Sequence, residues 1–267
     1  MEHLKQQLKQ IVEVAGGSWA IVLEDLDREE KWNLNGEQPF YAASVIKLPI
    51  MAAVFAAADK GKFKLGDCLT LKREDLVGGS GVLQHLSPGI ELPIYDLAML
   101  MIIQSDNTAT NILIDLVGKD PIREAMQDLG MSDSAFYTKL MTVPVDSPRN
   151  SITASDVSGL LKKLALGKFV SLYACEQMID ILKKQQVRNG LPGYLPDDDS
   201  EIVGVNPEWE VANKSGWVTG IHHDAGIFYV GSRTMIVTAF SKGCDTLVAP
   251  DALAKIGKAV YTYMKNS

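Results

Sequence analysis

Apolar residues recur every three or four positions at the start of the chain, and this spacing predicts an amphipathic helix over residues 2–14. Gly16 and Gly17 end that helix. The apolar segment Ser18–Glu24 then predicts a strand, and Trp32–Leu34 is placed to pair back on it after a charged turn. The amino-terminal part of the chain therefore predicts a helix followed by a β-hairpin.

The middle of the chain shows helical periodicity, and the end returns to strands. The predicted helices are Leu48–Ala58, Leu92–Gln104, Thr108–Val117, Asp120–Leu129, Thr153–Leu166 and Leu172–Gln186. Residues 62–90 and 131–150 predict irregular structure. After the turn-rich segment Gly190–Asp199 come three predicted strands and one helix: Val211–Lys214, Gly226–Val230, Thr234–Phe240 and about 251–265.

Because strands lie only at the two ends, they predict one mostly antiparallel sheet flanked by helices. The fold class is therefore α/β (α+β), with an all-α domain inserted between the two parts of the sheet. We predict an α/β domain built from residues 1–42 and 187–267, and an all-α domain from residues 43–186. Binding sites favour the junction of two such domains.

Composition narrows the possible partners. The 267 residues are 46% hydrophobic and 22% charged, as in soluble globular proteins, and the net charge of −7 argues against nucleic acid or an anionic membrane as a partner. No apolar run is long enough for a membrane span, and the start of the chain is too polar for a signal peptide. We expect a cytoplasmic protein, or a periplasmic or secreted one that has been processed.

Cofactor signals are weak throughout the sequence. Cys68, Cys175 and Cys244 lack metal-ligand spacing and predict free, buried thiols, which suits a reducing compartment. The glycine-rich segment 78–81 is not followed by the Gly-Lys-Ser/Thr of a phosphate loop, and His85 has no partner at ligand spacing. We therefore expect no metal and no other cofactor.

The segment Ser44–Lys47 carries the strongest chemical signal. It opens a predicted helix, where residues three positions apart share a face, so the hydroxyl and the amine can touch. A serine becomes a nucleophile when a base takes its proton, and lysine is such a base once burial and nearby cations lower its pKa. A Ser-x-x-Lys match can arise by chance, but Ser44 is the only serine in the chain with a lysine three positions later.

A second polar cluster, Ser105-Asp106-Asn107, is wedged between two apolar helices, where buried polar groups need partners. Capping of the second helix by Asp106 or Asn107 is the alternative explanation for this cluster.

A third cluster, Lys214-Ser215-Gly216, lies at the end of a predicted strand. An ammonium and a hydroxyl there can bind a carboxylate, and the glycine lets a ligand approach the backbone. We expect the backbone N–H of Trp217 to pair with that of Ser44 as an oxyanion hole.

In this order, Ser-x-x-Lys, Ser-Asp-Asn and Lys-Ser-Gly resemble the motif set of the class A serine β-lactamase and penicillin-binding protein superfamily, and the resemblance covers most of the chain. It implies the β-lactamase/transpeptidase-like fold and a serine hydrolase that forms an acyl-enzyme. The resemblance makes Ser44 the nucleophile and Lys47 its base or proton relay. Ser105 would pass a proton to the leaving nitrogen.

The remaining family roles concern substrate binding. By the same resemblance, Asn107 would hold Lys47 and the substrate amide, while Lys214 and Ser215 would bind the substrate carboxylate. The implied partner is a small molecule, a β-lactam or an acyl-D-amino acid, and we expect a monomer.

The sequence departs from the family in the loop expected at Ser134–Arg149. Class A β-lactamases carry a glutamate there that activates the deacylating water, but this chain has no glutamate between Glu124 and Glu176. Asp146 is the one carboxylate in the loop, and a turn or capping role is its alternative. A positioned general base increases a reaction rate roughly 10²–10⁴-fold, so without the loop glutamate we expect slow deacylation.

A second departure is His222-His223-Asp224. Many relatives carry an arginine near this point that helps bind the carboxylate, and His222 would replace it weakly. A metal site is the competing interpretation, but adjacent strand residues point to opposite faces. Two other functions stay open: an esterase or D-amino-acid peptidase on the same scaffold, and a penicillin-binding sensor without turnover.

Overall fold

The computed structural model describes residues 1–142, 148–197 and 207–266 of the chain. In chain order, its helices are α1 (Glu2–Ala15), α2 (Lys47–Asp59), α3 (Ile94–Ile103), α4 (Asn107–Val117), α5 (Lys119–Leu129), α6 (Ala154–Ala165), α7 (Leu172–Lys183) and α8 (Val248–Asn266). Its strands are β1 (Ser18–Asp25), β2 (Glu30–Leu34), β3 (Phe40–Tyr41), β4 (Cys68–Thr70), β5 (Glu91–Pro93), β6 (Ser151–Ile152), β7 (Trp209–Val218), β8 (Ile221–Val230) and β9 (Arg233–Lys242). No helix in these ranges is both long and apolar enough to cross a bilayer.

The two ends of the chain form one sheet, which confirms the predicted fold class. The strand order is β2-β1-β9-β8-β7, and each neighbouring pair is antiparallel. Two short two-stranded sheets, β3 with β6 and β4 with β5, lie outside it. The amino-terminal hairpin thus joins the carboxy-terminal meander along β1 and β9.

Each face of the sheet packs on its own hydrophobic core. Helices α1 and α8 cover one face through residues such as Leu4 and Ile256. Helices α6 and α7 pack on the other face and continue into the core of the helical region. Helix α2 runs through that region and is apolar on nearly every side because it is buried on nearly every side. The predicted division into two domains stays a prediction.

Three local expectations were wrong. Ser44 does not begin an α-helix: it lies in a 3-10 turn, Ala43–Ile46, and Lys47 is the first residue of α2. Strand β7 does not end at Lys214 but continues to Val218, because Trp217 and Val218 still pair with β8. All three cysteines are free, but Cys68 is exposed, since it lies on a short edge strand.

Candidate active site

The side chain of Lys47 is the centre of the site. It is completely buried, and its Nζ lies 3.3 Å from Ser44 Oγ, 3.0 Å from Ser105 Oγ and 2.9 Å from Asn107 Oδ1. A fourth contact, of 2.6 Å, goes to the carbonyl of Ser105. A protonated amine has only three hydrogens, so four oxygen neighbours leave room for a hydroxyl to donate to a neutral amine. The structure therefore brings together four of the predicted residues.

Electrostatics favour the neutral form of Lys47. Burial is the largest cause that lowers its pKa well below the usual range, and the positive charge of Lys214 lowers it further. The carboxylate of Asp106 acts in the opposite direction. A buried lysine with a depressed pKa can accept a proton from the neighbouring Ser44 hydroxyl near neutral pH.

In the Ser105-Asp106-Asn107 cluster, Asp106 has a structural role, whereas Ser105 and Asn107 contact Lys47. Asp106 is the N-cap of α4, with Oδ1 accepting from Ala109 N at 2.9 Å, so the capping alternative is correct for this residue. Its Oδ2 accepts from the N–H groups of Val82 and Leu83 and thereby fixes the neighbouring loop.

Asn107 is left free by this arrangement to contact Lys47 through Oδ1, while its Nδ2 donates to the carbonyl of Gly78 at 3.1 Å. The loop around residues 78–83 is thus part of the site. Sequence reasoning missed its role, because the glycines carry no chemical signal of their own.

Two backbone conformations in the site are strained. Ala43, directly before Ser44, has φ 43°, and Ser105 has φ 51°. Non-glycine residues rarely adopt such angles, which cost of order 1–3 kcal/mol and concentrate at functional sites. One strained residue precedes Ser44 and the other is Ser105, and the hydroxyls of both serines contact the same lysine.

Strand β7 approaches Ser44 at Gly216, two residues after Lys214. Lys214 is completely buried, and its Nζ donates to the carbonyl of Ser215 at 2.6 Å. A Cβ atom on Gly216 would lie 2.8 Å from Ser44 N and 2.9 Å from Val45 N, so only glycine permits this approach. The strand therefore packs directly against the turn that carries Ser44. An oxyanion hole made by the Trp217 and Ser44 N–H groups stays a prediction.

Asp224 supports Lys214 from the neighbouring strand and is a residue that sequence reasoning missed as a site member. Its Oδ1 accepts from Asn213 Nδ2 at 2.9 Å, and its Oδ2 accepts from Leu191 N at 2.8 Å. Burial raises the pKa of Asp224 to about 6, and its charge partly offsets the burial that lowers the pKa of Lys214 to about 8. The available signal was a carboxylate directly after two histidines, in the strand that pairs with the Lys-Ser-Gly motif.

A cleft of about 590 Å³ opens above Ser44. It is lined by Tyr41, Ala43, Ser44, Gly79, Ser80, Asn107, Leu140, Met141, Trp217, Val218 and Thr219. None of these described residues is a carboxylate that could serve as a deacylation base. Asp146, the carboxylate considered from the sequence, lies outside the described residues. The apolar side chains of Leu140 and Met141 occupy the cleft wall on the loop side.

The two adjacent histidines have different surroundings. His223 Nε2 bonds to the carbonyl of Tyr41 at 3.0 Å, and its Nδ1 accepts from Ser241 N at 3.3 Å. His222 lines a second cavity, of about 370 Å³, and its Nδ1 has no hydrogen-bond partner in the part of the chain that the structure describes. Within the described ranges, no three His, Cys, Asp or Glu side chains are grouped as metal ligands.

A serine beside a buried, low-pKa lysine, a second hydroxyl and a cationic strand define a serine hydrolase of the acyl-enzyme type. Comparison with known proteins makes the assignment specific. The model of a family described as the β-lactamase enzyme family matches residues 3–264, and the chain belongs to that family.

Individual relatives are similar to this chain over nearly its whole length. A β-lactamase of Rhodobacter capsulatus is 25% identical over 99% of this chain and 89% of its own length. The crystal structure of a β-lactamase from Sphaerobacter thermophilus is 32% identical, with a TM-score of 0.89 over 98% of this chain and 97% of its own. A mutant of PBP-A, described as an acyl-enzyme complex with penicillin G, is 26% identical, with a TM-score of 0.85 over 99% and 97% of the two chains.

Proposed function

We propose that β-lactams acylate Ser44 and that the acyl group leaves slowly. The observation that carries this proposal is the contact of Lys47 Nζ with Ser44 Oγ, at 3.3 Å, inside a buried site that also holds Ser105 and Asn107. The family is one of β-lactamase-type hydrolases. The identity of the reacting groups and the slow second step are the proposal.

The geometry of the site supports the following route of acylation. Ser44 Oγ attacks the carbonyl carbon of the lactam while neutral Lys47 takes the hydroxyl proton. The carbonyl oxygen gains the negative charge, which backbone N–H groups at Ser44 and Trp217 stabilise. When the C–N bond breaks, Ser105 delivers a proton to the leaving nitrogen and regains one from Lys47. The products are an ester on Ser44 and an amine, with one proton moved from the serine to the nitrogen.

Among the described residues that line the cleft, none is an evident base for deacylation. Water must attack the Ser44 ester, and a carboxylate that takes the proton of this water increases the rate of the step roughly 10²–10⁴-fold. The loop side of the cleft instead presents Leu140 and Met141. A PBP-A mutant has been described as an acyl-enzyme with penicillin G, which supports the idea that a related site holds the ester.

Intact-mass spectrometry after addition of benzylpenicillin tests both halves. We expect a covalent adduct on the wild type that persists for minutes after excess drug is removed, and no adduct on Ser44→Ala. An adduct that decays within a second would support acylation but contradict slow release. No adduct, combined with cleavage of a simple aryl ester, would overturn the β-lactam proposal in favour of an esterase.

Two expectations about the whole protein remain proposals. We propose a monomer, which size-exclusion chromatography with light scattering would test. The compartment, cytoplasmic or exported after processing, requires fractionation of the source cells.

A further inference from the structure

A cavity of about 470 Å³ lies between α2 and α5, away from the Ser44 cleft. Three alanines of α2, Ala53, Ala56 and Ala57, line it along one side of that helix, and Ala125 lines it from α5. Alanine side chains are too short to fill the space between two helices, so the cavity stays open. Its size is in the range of cavities that bind small molecules.

The cavity and the catalytic cleft lie at opposite ends of α2. Lys47 is the first residue of this helix, and Ala57 follows ten residues later, which is about 15 Å along the axis. Among the described residues, the cavity and the cleft share no lining residue. A ligand between α2 and α5 would therefore occupy a site separate from that of Ser44.

Four charged side chains line the cavity, two of each sign. Lys60 and Lys62 lie just beyond the end of α2, whereas Glu124 and Asp128 lie one turn apart on α5. All four residues are exposed, and within the described ranges none of these side chains forms an ion pair or a hydrogen bond. The lysine side and the acid side of the cavity are thus too far apart to neutralise each other.

This separation differs from the behaviour of other charges on α5. Arg123 Nη1 donates to Asp120 Oδ1 at 2.8 Å, three residues away on the same helix. Opposite charges that border one cavity without meeting are complementary to a ligand that carries both signs. Because alanines lie between the two sides, the middle of that ligand is apolar.

The arrangement sets the chemistry of the matching ligand. A carboxylate complements the two lysines, and an ammonium complements the two acidic side chains. A free amino acid carries both charges on a single carbon, whereas a dipeptide separates them by a further 3.8 Å or about one residue length. A dipeptide is therefore the smallest peptide whose terminal charges reach toward both sides.

We propose that this cavity binds a dipeptide with apolar side chains. The carboxylate of the dipeptide contacts Lys60 and Lys62. Its ammonium contacts Glu124 and Asp128, and its side chains pack on the alanines. No bond is made or broken there, and the site does not depend on acylation of Ser44.

Isothermal titration calorimetry of Ser44→Ala with phenylalanyl-leucine tests the site, since this variant lacks the hydroxyl that would attack a substrate. We expect a dissociation constant on the order of 0.1–1 mM for a ligand of this size. The N-acetyl derivative lacks the ammonium and the amide derivative lacks the carboxylate. Each should bind about two- to fivefold more weakly, as expected from the loss of an exposed ion pair. Free phenylalanine should bind at least about tenfold more weakly than the dipeptide.

Paired charge variants in the same background identify which end of the ligand each side of the cavity holds. In Lys60→Gln/Lys62→Gln, the dipeptide and its amide should bind equally, while N-acetylation still weakens binding. In Glu124→Gln/Asp128→Asn, the dipeptide and its N-acetyl derivative should bind equally, while the amide still binds more weakly. This crossed pattern isolates each ion pair, because a charge elsewhere on the protein affects both derivatives without distinguishing the variants.

Lys9→Gln/Glu13→Gln is the matched control, because it removes one charge of each sign at exposed positions of α1 and should leave binding unchanged. Ala56→Leu places a larger side chain at a partly buried position that lines the cavity, and should weaken binding at least about tenfold. Circular dichroism verifies the fold of this variant, and the charge variants decide the question if the leucine does not fit.

No heat of binding with phenylalanyl-leucine at about 10 mM would overturn the inference, as would equal binding of the dipeptide and both derivatives. Unchanged binding in both pairs of charge variants would place the dipeptide elsewhere on the protein, and phenylalanine that binds as tightly as the dipeptide would contradict the ligand class. Because none of these measurements uses a β-lactam, their failure is distinguishable from a failure of Ser44 acylation.

Discussion

The side chain of Asn111 holds the backbone of Leu140 in both directions: Asn111 Nδ2 donates to the Leu140 carbonyl, and Leu140 N donates to Asn111 Oδ1, each at 2.9 Å. Asn111 lies one helical turn after Asn107 on α4, so the helix that positions Lys47 also anchors the loop. The result is an apolar residue fixed in the wall of the Ser44 cleft.

Replacing Leu140 by glutamate should place a carboxylate in that wall. We expect Leu140→Glu to release the acyl group from Ser44 up to about 10²-fold faster, because a base becomes available to the attacking water. Decay of the penicillin adduct by intact mass measures this rate. Leu140→Gln is the matched control and should remain slow. Equal decay of the two variants would show that this position does not reach the ester.

The alkaline limit of acylation should depend on Asp224. Lys214 loses its charge above about pH 8, and the carboxylate of Asp224 raises that pKa. In Asp224→Asn the pKa of Lys214 should fall, so the decline in acylation rate at high pH should begin at a lower pH. A pH profile from 6 to 10 with benzylpenicillin measures the change. Asp180→Asn, at an exposed position, is the control; an unmoved limit in Asp224→Asn would contradict the coupling.

Stability in acid should depend on His223. Burial lowers the pKa of His223 to about 4 from an ordinary 6.5. Between these two pH values, the unfolded chain binds a proton at this histidine and the folded protein does not. The free energy of unfolding therefore has its full value above pH 6.5 and falls by roughly 3 kcal/mol as the pH drops toward 4. His223→Gln should show a smaller fall in urea denaturation over this range. Because Asp224 titrates in the same window with the opposite sign, the difference between variant and wild type is the informative quantity.

Gly81 should tolerate no side chain. Its φ is +107°, and a Cβ there would lie 2.3 Å from the Asp106 carboxylate and 2.4 Å from its Cα. We expect Gly81→Ala to lower the free energy of unfolding by about 1–3 kcal/mol and to slow acylation, since Asp106 positions Asn107. Gly89→Ala is the matched control, because Gly89 has φ +101° with nothing within 4 Å. Equal losses in both variants would mean that backbone strain alone is responsible.

The sequence predicted the parts of this molecule that depend on local pattern. Helical spacing located the apolar helices, and a separation of three residues put Ser44 and Lys47 in contact, even though the connecting turn is a 3-10 turn instead of an α-helix. A 3-10 turn also brings residues three apart to the same side, so the chemical inference survived the wrong backbone assignment.

The remaining parts depend on contacts between distant segments. Nothing local marks Leu140 as a cleft residue, because its position follows from the pairing with Asn111, 29 residues earlier. The support of Lys214 by Asp224 likewise depends on the register of β7 against β8. The length of β7 depends on the same pairing, which continues beyond the Lys-Ser-Gly motif.

The central claim, that Ser44 is the nucleophile activated by Lys47, is tested most directly by locating the acyl group. The wild type, Ser44→Ala and Lys47→Ala are exposed to benzylpenicillin, quenched in acid, digested and mapped by tandem mass spectrometry. We predict a label only on the hydroxyl of residue 44 in the wild type, none in Ser44→Ala, and labelling slowed at least 10³-fold in Lys47→Ala. A label on another residue, or equal labelling of Ser44→Ala and the wild type, would contradict the account.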